Sequence, residues 1–283
     1  MSLYKYFKKA KKQKWAIGEF NFSTVEQLKG IILAAKSKSS PVILGTSENE
    51  AKFFGLEEAV ALVRILENKE KFKLFLHLDH GKDLDIIKRA IDVGYDSVHF
   101  DGSFLSFEDN VKLTGEVVRY AHKKKIFVEG ELGFLRGESK LFLTDAPVIK
   151  EQDLTRPEDA EDFVLKTGVD SLAVVIGNVH GMYKKMPDLD FERLKKIKSQ
   201  TDVFLVLHGG SGLSISDLKK AIRFGVQKVN LNTELRIAWR KSLEKAFKNS
   251  KETKPYKISP EVIQEIKKKV EKYIKLFGSR NKI

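Results

Sequence analysis

The stretch KLFLHLDHG, residues 73–81, carries an apolar run directly into a histidine, an aspartate and a glycine. It is too short for a helix and suits pleated, buried backbone, so it reads as a buried strand whose carboxyl end turns polar. The same ending returns twice. VIGNVHG (175–181) closes on His180-Gly181, and VFLVLHGG (203–210) passes through His208-Gly209. Chance pairing of 6 His and 19 Gly in 283 residues gives fewer than one His-Gly dipeptide, against three here, so strand exits are being built alike.

Working outward, eight such runs span the chain: Trp15 to Phe22, Pro41 to Ser47, Lys73 to His80, Ser97 to Ser103, Ile126 to Gly133, Ser171 to His180, Val203 to Gly209 and Lys228 to Thr233. Stretches with three- and four-residue apolar spacing separate them and read as helices. Thr155 to Glu158 has capping-box spacing with an early proline, Ser106 and Ser214 precede acidic first turns, and Gly94, Gly168 and Gly225 stand where helices stop. Eight near-continuous apolar strands alternating with amphipathic helices predict an α/β fold, a TIM (β/α)8 barrel covered on its outer face. An open doubly wound sheet is disfavoured, because GEFNFST (18–24) stands where a G-x-G-x-x-G would follow the first strand. Leu3, Phe7 and Ala10 share one face of an N-terminal helix expected to cap the barrel floor, and an extra C-terminal helix packs outside or reaches a partner. Residues 1–283 are expected to form a single domain, a size one barrel fills comfortably.

The absence of cysteine excludes a disulfide framework and thiolate metal sites, leaving His, Asp and Glu as ligands. The formal charge of +13 allows nucleic acid, an anionic membrane or phosphorylated substrates as partners. Its lysines crowd KYFKKAKKQK (5–14) and EIKKKVEKYIKLFGSRNK (265–282), acidic residues interrupt the second, and no RNA-stacking motif accompanies them. The expectation is a solvated helical surface without nucleic-acid binding. Apolar stretches such as SLAVVIG (171–177) fall well short of the roughly 20 residues a bilayer span needs, so a cytoplasmic protein with no membrane partner is expected.

Barrel active sites gather at the carboxyl ends of strands. His80, His180 and His208 leave the third, sixth and seventh runs toward one mouth, and three imidazoles with an open position are the ligand set of a catalytic zinc. Asp79 adjoins one of them and is a candidate general acid/base. Asp101 and Glu131 end the fourth and fifth runs, positioned to orient ligand histidines or offer an alternate metal position. Glycines of HGGSG (208–212) and the turn NLNTE (230–234) occupy the place where barrels hold phosphate, making Gly209, Ser211 and Thr233 a candidate anion cradle. The long connection from Phe134 to Asp153 is expected to be a lid, with Glu138 a second acid/base candidate. His77 and His99 are expected to support neighbours inside strands, and His122 to face solvent from a helix.

FNF, SPVILGTS, HLDHG, DGS, VEGELG, TGVDSLAV, VHGMYK, LVLHGGSG and KVNLNTE follow one another in the order of a known family. The full chain resembles the class II, zinc-dependent fructose-bisphosphate aldolases, in the branch shared with tagatose-bisphosphate aldolases. That resemblance implies reversible cleavage of a ketohexose bisphosphate, fructose 1,6-bisphosphate before tagatose 1,6-bisphosphate, into dihydroxyacetone phosphate and glyceraldehyde 3-phosphate, as in glycolysis and gluconeogenesis. It implies zinc on His80, His180 and His208, proton transfer by Asp79, and Asn230 on the enediolate. Gly181, Lys184, Gly209, Ser211 and Thr233 would hold the phosphate, and Ser47 would reach the sugar. Arg236 matches a position that binds the distal phosphate of a neighbouring subunit's substrate, which implies a homodimer or homotetramer. A monovalent cation, sodium or potassium, near the phosphate is implied as well. Two departures stand out. LRGESK (135–140) places Glu138 one position ahead of the family's loop glutamate, with Ser139 in its place, and Asn232 stands where some branches carry Asp.

Other readings remain open at the level of sequence. A lysine Schiff-base aldolase would need a lysine at a strand's carboxyl end, whereas Lys184 lies four residues past His180. HLDHG echoes the H-x-H-x-D-H motif of metallo-β-lactamase-like hydrolases, but Phe75 replaces the leading histidine. The basic charge would also suit a nucleic-acid-binding or scaffold protein on an inactive barrel.

Overall fold

The computed structural model describes residues 1–249 and 251–283. Helix α1 (Leu3–Gln13) precedes the strands β1 (Ile17–Asn21), β2 (Val42–Ser47), β3 (Phe75–Gly81), β4 (Ser97–Phe100) and β5 (Phe127–Leu132). A short strand β6 (Gly137–Leu141) follows, then β7 (Ser171–Val174), a second short strand β8 (His180–Met182), β9 (Phe204–Leu207) and β10 (Val226–Leu231). All but β6 and β8 are parallel neighbours in one closed barrel, in the order β1-β10-β9-β7-β5-β4-β3-β2. Around it run α2 (Val25–Ser37), α3 (Glu48–Phe54), α4 (Leu56–Glu70), α5 (Leu84–Val93), α6 (Phe107–Lys123), α7 (Pro157–Thr167), α8 (Phe191–Gln200), α9 (Ile215–Arg223), α10 (Thr233–Asn249) and α11 (Pro255–Phe277). This is the TIM (β/α)8 architecture.

Side chains alternate along a strand, so every second residue faces the axis. The lowest inward layer is apolar: Ile17, Ile43, Phe75, Phe127 and Phe204 form one buried cluster with Leu3, Tyr6, Phe7 and Ala10 of α1. Phe7 stacks on Phe127 at 4.9 Å and lies 5.1 Å from Phe204, sealing the barrel floor. At the outer face, α11 crosses α2 so closely that a Cβ on Gly30 would sit 2.6 Å from Ile266. Ser106 and Ser214 cap α6 and α9, and Gly94 and Gly168 end α5 and α7 in the left-handed conformation.

Three expectations need correction. The sixth barrel strand stops at Val174, because Gly177 turns at φ 107° and the Asn178 side chain caps the turn, accepting from Ile176 N at 2.8 Å and donating to His208 O at 3.1 Å. His180 therefore opens β8 instead of ending a barrel strand. The fourth strand likewise ends at Phe100, with Ser103 folding back on Asp101. No capping box forms at Thr155: α7 begins after Arg156, and the Thr155 hydroxyl bridges Leu132 O and Val175 N. The Phe134–Asp153 connection, expected as a lid, carries structure of its own. Its β6 pairs with β8, Phe142 stacks on Tyr183 at 4.6 Å, and Arg136 pairs with Asp153 at 2.9 Å.

Phe7→Ala should remove the central floor aromatic and cost about 3–5 kcal/mol, read as a lowered denaturation midpoint.

Candidate active site

Asp79 and His80 are consecutive, so a regular strand would send them to opposite faces. His80 escapes this by adopting φ 50°, where the β3–β4 register shifts between Leu78 and Gly81. A positive φ is uncommon for a residue with a side chain, and here it is held by His80 N donating to His99 Nδ1 at 3.1 Å. Both side chains consequently face one cavity of about 150 Å3, together with Asn21, Ser47, Ser139, His180, Gly181, His208, Gly209, Ser211, Asn230, Asn232, Thr233 and Arg236.

The three anticipated imidazoles meet there. The His80 ring centre lies 4.5 Å from that of His208 and 4.8 Å from that of His180, with His180 and His208 6.5 Å apart. His80 Nε2 faces His208 Nδ1 at 2.8 Å. Each ring is oriented through its other nitrogen: His80 Nδ1 bonds Asp101 at 3.0 Å, and His208 Nε2 bonds Glu129 at 2.8 Å. The Asp79 carboxylate is fixed from both sides, accepting from Asn21 Nδ2 at 3.0 Å and Asn230 Nδ2 at 3.1 Å.

One layer below lies an ionic cluster that the sequence reading passed over. Lys228, 1% exposed, donates to Glu129 at 2.7 Å, contacts Glu19, and meets His77 Nε2 at 3.2 Å. Burial pushes Glu19 up to about 8, against the pull of Lys228. Burial also opposes charge on Glu129, but Lys228 and His208 outweigh it and hold this carboxyl well below its usual range. Lys228 in turn is raised by Glu129 and Glu19 in spite of burial. Within the layer burial therefore works against charge on Glu19, while Glu129 keeps its charge opposite Lys228. Above it, Asp79 is buried, yet the neighbouring His80, His99 and His208 keep it ionised well below the ordinary range. His80 resists its own burial through Asp79, Asp101 and Glu131 and rises to about 9, whereas burial and the charges of His80 and His208 depress His180.

The remaining anticipated residues divide. Glu131 lies 3.6 Å from His80 Nδ1 and 3.2 Å from His99 Nε2. Gly209 (φ 66°), Ser211 and Thr233 surround the amino end of α10, with Ser211 Oγ accepting from Glu234 N at 3.4 Å. Arg236 and Asn232 line the cavity of their own chain, both bonded to Glu50. Lys184 lies exposed outside the cavity, and its backbone bonds Thr144. Glu138 is exposed, pairs with Lys140 and faces the neighbouring hollow beside Tyr183, while Ser139 is the β6 side chain that lines the cavity. His99, anticipated only as a support, joins the innermost cluster. Its positional signal was available: it stands two residues before Asp101, as His77 stands two before Asp79. His122 is half-exposed and bonded to Asp170. A larger hollow of about 450 Å3 lies at the opposite end beside α1, where His122 pairs with Asp170 and Lys73 with Asp96.

Ligand atoms of Asp79, His80, His99 and His208 lie within 4.8 Å of one another, as do those of His80, Asp101 and Glu131. Among the described residues, His99 Nε2, Glu131 Oε2 and Asn230 Oδ1 are buried without a partner in hydrogen-bond geometry, although the first two lie close together. Imidazole nitrogens and carboxylate oxygens gathered this closely fit a divalent cation, whose charge would take the place of the protons that these rings hold without it.

A closed α/β barrel whose mouth gathers histidines and the Asp79 carboxylate into one cavity has the architecture of a barrel enzyme. The family model for class II fructose-bisphosphate aldolase matches residues 1–282, and the chain belongs to that family of aldehyde-lyases. Over 277 residues it is 38% identical to the fructose-bisphosphate aldolase of Staphylococcus aureus, across 96% of this chain and 95% of that one. It is also 38% identical over 277 residues to the 6-phospho-5-dehydro-2-deoxy-D-gluconate aldolase of Shouchella clausii, across 96% and 92%. The crystal structure of the YdjI aldolase from Escherichia coli K12 superposes with a TM-score of 0.86 at 33% identity, covering 99% of this chain and 98% of that one.

Lys228→Met should strand the Glu129 charge in the interior and cost about 3–5 kcal/mol, measured by chemical denaturation. Glu19 binds its proton more tightly when folded, so its contribution is fully present below 4.5 and is lost as pH rises toward about 8. Glu19→Gln should flatten that part of the stability profile relative to wild type, as followed by denaturation across the window.

Proposed function

We propose that this chain, working as one domain over residues 1–283, is a zinc-dependent aldolase that reversibly cleaves fructose 1,6-bisphosphate into dihydroxyacetone phosphate and glyceraldehyde 3-phosphate, a reaction of glycolysis and gluconeogenesis. The observation that carries this reading is Asp79: an ionised carboxylate clamped by two asparagines beside converging imidazoles and open to the cavity. Breaking the C3–C4 bond leaves a carbanion beside a ketone and a proton on the departing C4 oxygen. Asp79 takes that hydroxyl proton during cleavage and returns it during condensation. Its two amide donors keep the carboxylate aimed without consuming its charge, at the cost of some basicity.

His80, His180 and His208 would hold the zinc, with Asp101 and Glu129 orienting two of the rings, and Glu131 and Asp101 offering an alternate position. When bound, zinc supplies a Lewis acid for the ketone oxygen. Asn230, whose Nδ2 reaches both Asp79 and His208, stands ready to donate to the oxygens beside the carbanion. Gly209, Ser211, Thr233 and Gly181 receive the phosphate of the three-carbon half at the amino end of α10, where unpaired N–H groups and the helix dipole favour an anion. A sodium or potassium ion beside that phosphate would offset its charge further, and Lys184 would join by turning inward. Ser47 meets the sugar hydroxyls from the end of β2. Return of a proton to the carbanion is assigned to Glu138, which requires β6 to turn its exposed side chain inward. Asn232 and Arg236 lie toward the distal end of the sugar.

A homodimer or homotetramer in the cytoplasm completes the reading. Among the described residues no helix is long and apolar enough to cross a membrane.

A coupled assay of zinc-loaded protein should show cleavage of fructose 1,6-bisphosphate in excess over tagatose 1,6-bisphosphate, lost with chelator and regained with zinc. Asp79→Ala should lower turnover by about 10²–10⁴-fold while zinc content stays normal; near-wild-type turnover in that variant would remove Asp79 from the reaction.

A further inference from the structure

We propose that Glu50 is a specificity-determining residue that competes with the far end of the substrate for Arg236. Resting on the aldolase reading, this names what controls the charge the site accepts on the aldehyde half.

Glu50 sits in the first turn of α3, is 6% exposed, and does not line the cavity itself. Four groups converge on its carboxylate: Oε2 accepts from Ser47 N at 2.8 Å and Asn21 Nδ2 at 3.0 Å, and Oε1 from Asn232 Nδ2 at 3.2 Å and Arg236 Nη2 at 2.7 Å. Arg236 is the one lysine or arginine among the described residues lining the cavity. It occupies the rim: its side chain is 41% exposed, against 7% for Asp79 and 2% for His208 on the floor. Its other terminal nitrogen reaches Ser139 O of β6 at 3.5 Å. A ketose with its carbonyl at the imidazoles and one phosphate in the buried cradle of Ser211 and Thr233 must project its far end toward this rim, so that Arg236 serves its own chain's substrate and not, as the resemblance implies, that of a neighbouring subunit. There it meets a guanidinium already neutralised by a buried carboxylate. A distal phosphate must draw Arg236 away from Glu50, whereas an uncharged distal end need not. Glu50 therefore imposes a selective cost on substrates charged at both ends.

Glu50→Gln removes the charge while keeping an oxygen for Ser47 N and Asn21. The new amide N–H groups find an acceptor in Asn232 Oδ1, which has no partner among the described residues and becomes available when that amide turns over. The test compares fructose 1,6-bisphosphate with fructose 1-phosphate in zinc-loaded enzyme. Glu50→Gln should lower KM for the bisphosphate about tenfold, the size of one charge-assisted hydrogen bond, with kcat/KM for fructose 1-phosphate nearly unchanged. The gain should vanish in the Glu50→Gln, Arg236→Met double variant. Should Glu50→Gln fold poorly, Glu50→Asp shortens the carboxylate away from Arg236 and should shift preference in the same direction. Equal changes for both sugars would overturn the inference, reducing Glu50 to a support for Asn21 and Asp79, as would an unchanged preference or a gain that survives in the double variant. Wild-type enzyme that cleaves neither sugar overturns the aldolase reading, and this inference with it.

Discussion

At the centre of the barrel one buried ammonium group, that of Lys228, stands between the carboxyl groups of Glu19 and Glu129. A buried charge left alone is far more costly than one paired and hydrogen-bonded. Glu129 answers that charge on one side and holds His208 on the other. The ionic layer is therefore the platform on which the mouth is built. Beneath it lies the apolar floor of Phe75, Phe127 and Phe204; above it Asp79, Asp101, Glu131, His208 and Asn230 give the mouth its polar lining. The gradient from Phe75 through His77 to Asp79 along a single strand states the design in three alternate residues.

Most of the barrel was legible because buried parallel strands are short apolar runs with punctuated ends. The α1 seal was legible from Leu3, Phe7 and Ala10, and the imidazole cluster from the repeated His-Gly exits. The sixth run was read too long because VVIGNV is almost entirely apolar, although Gly177 and Asn178 carried the turn signal. Strand β6 was missed since GESKL is exposed and polar, and its pairing with β8 depends on chain segments about forty residues apart. The ionic layer escaped for a different reason. Glu19, His77, Glu129 and Lys228 are isolated polar residues in strands spread over the whole chain, and only barrel closure makes them neighbours. Their shared position, two residues before Asn21, Asp79, Glu131 and Asn230, was the signal that a strand-by-strand reading does not use.

Asp79 and His80 show how local strain serves chemistry. Two adjacent residues face one cavity only because His80 accepts a left-handed backbone and the β3–β4 register slips. His99 holds that irregularity through its ring nitrogen, which explains why a histidine anticipated as mere support stands inside the cluster. Glu50 has a comparable place at the rim, where a single carboxylate ties β1, β2, the β10 exit and α10 together.

The aromatic floor has one last consequence. Because α1 stoppers the barrel, its axis is a blind well with a single doorway. On the aldolase reading, both fragments must leave by the route the sugar entered, so the piece lying nearer the entrance departs before the one seated deeper, and the reverse reaction must load them in the opposite sequence.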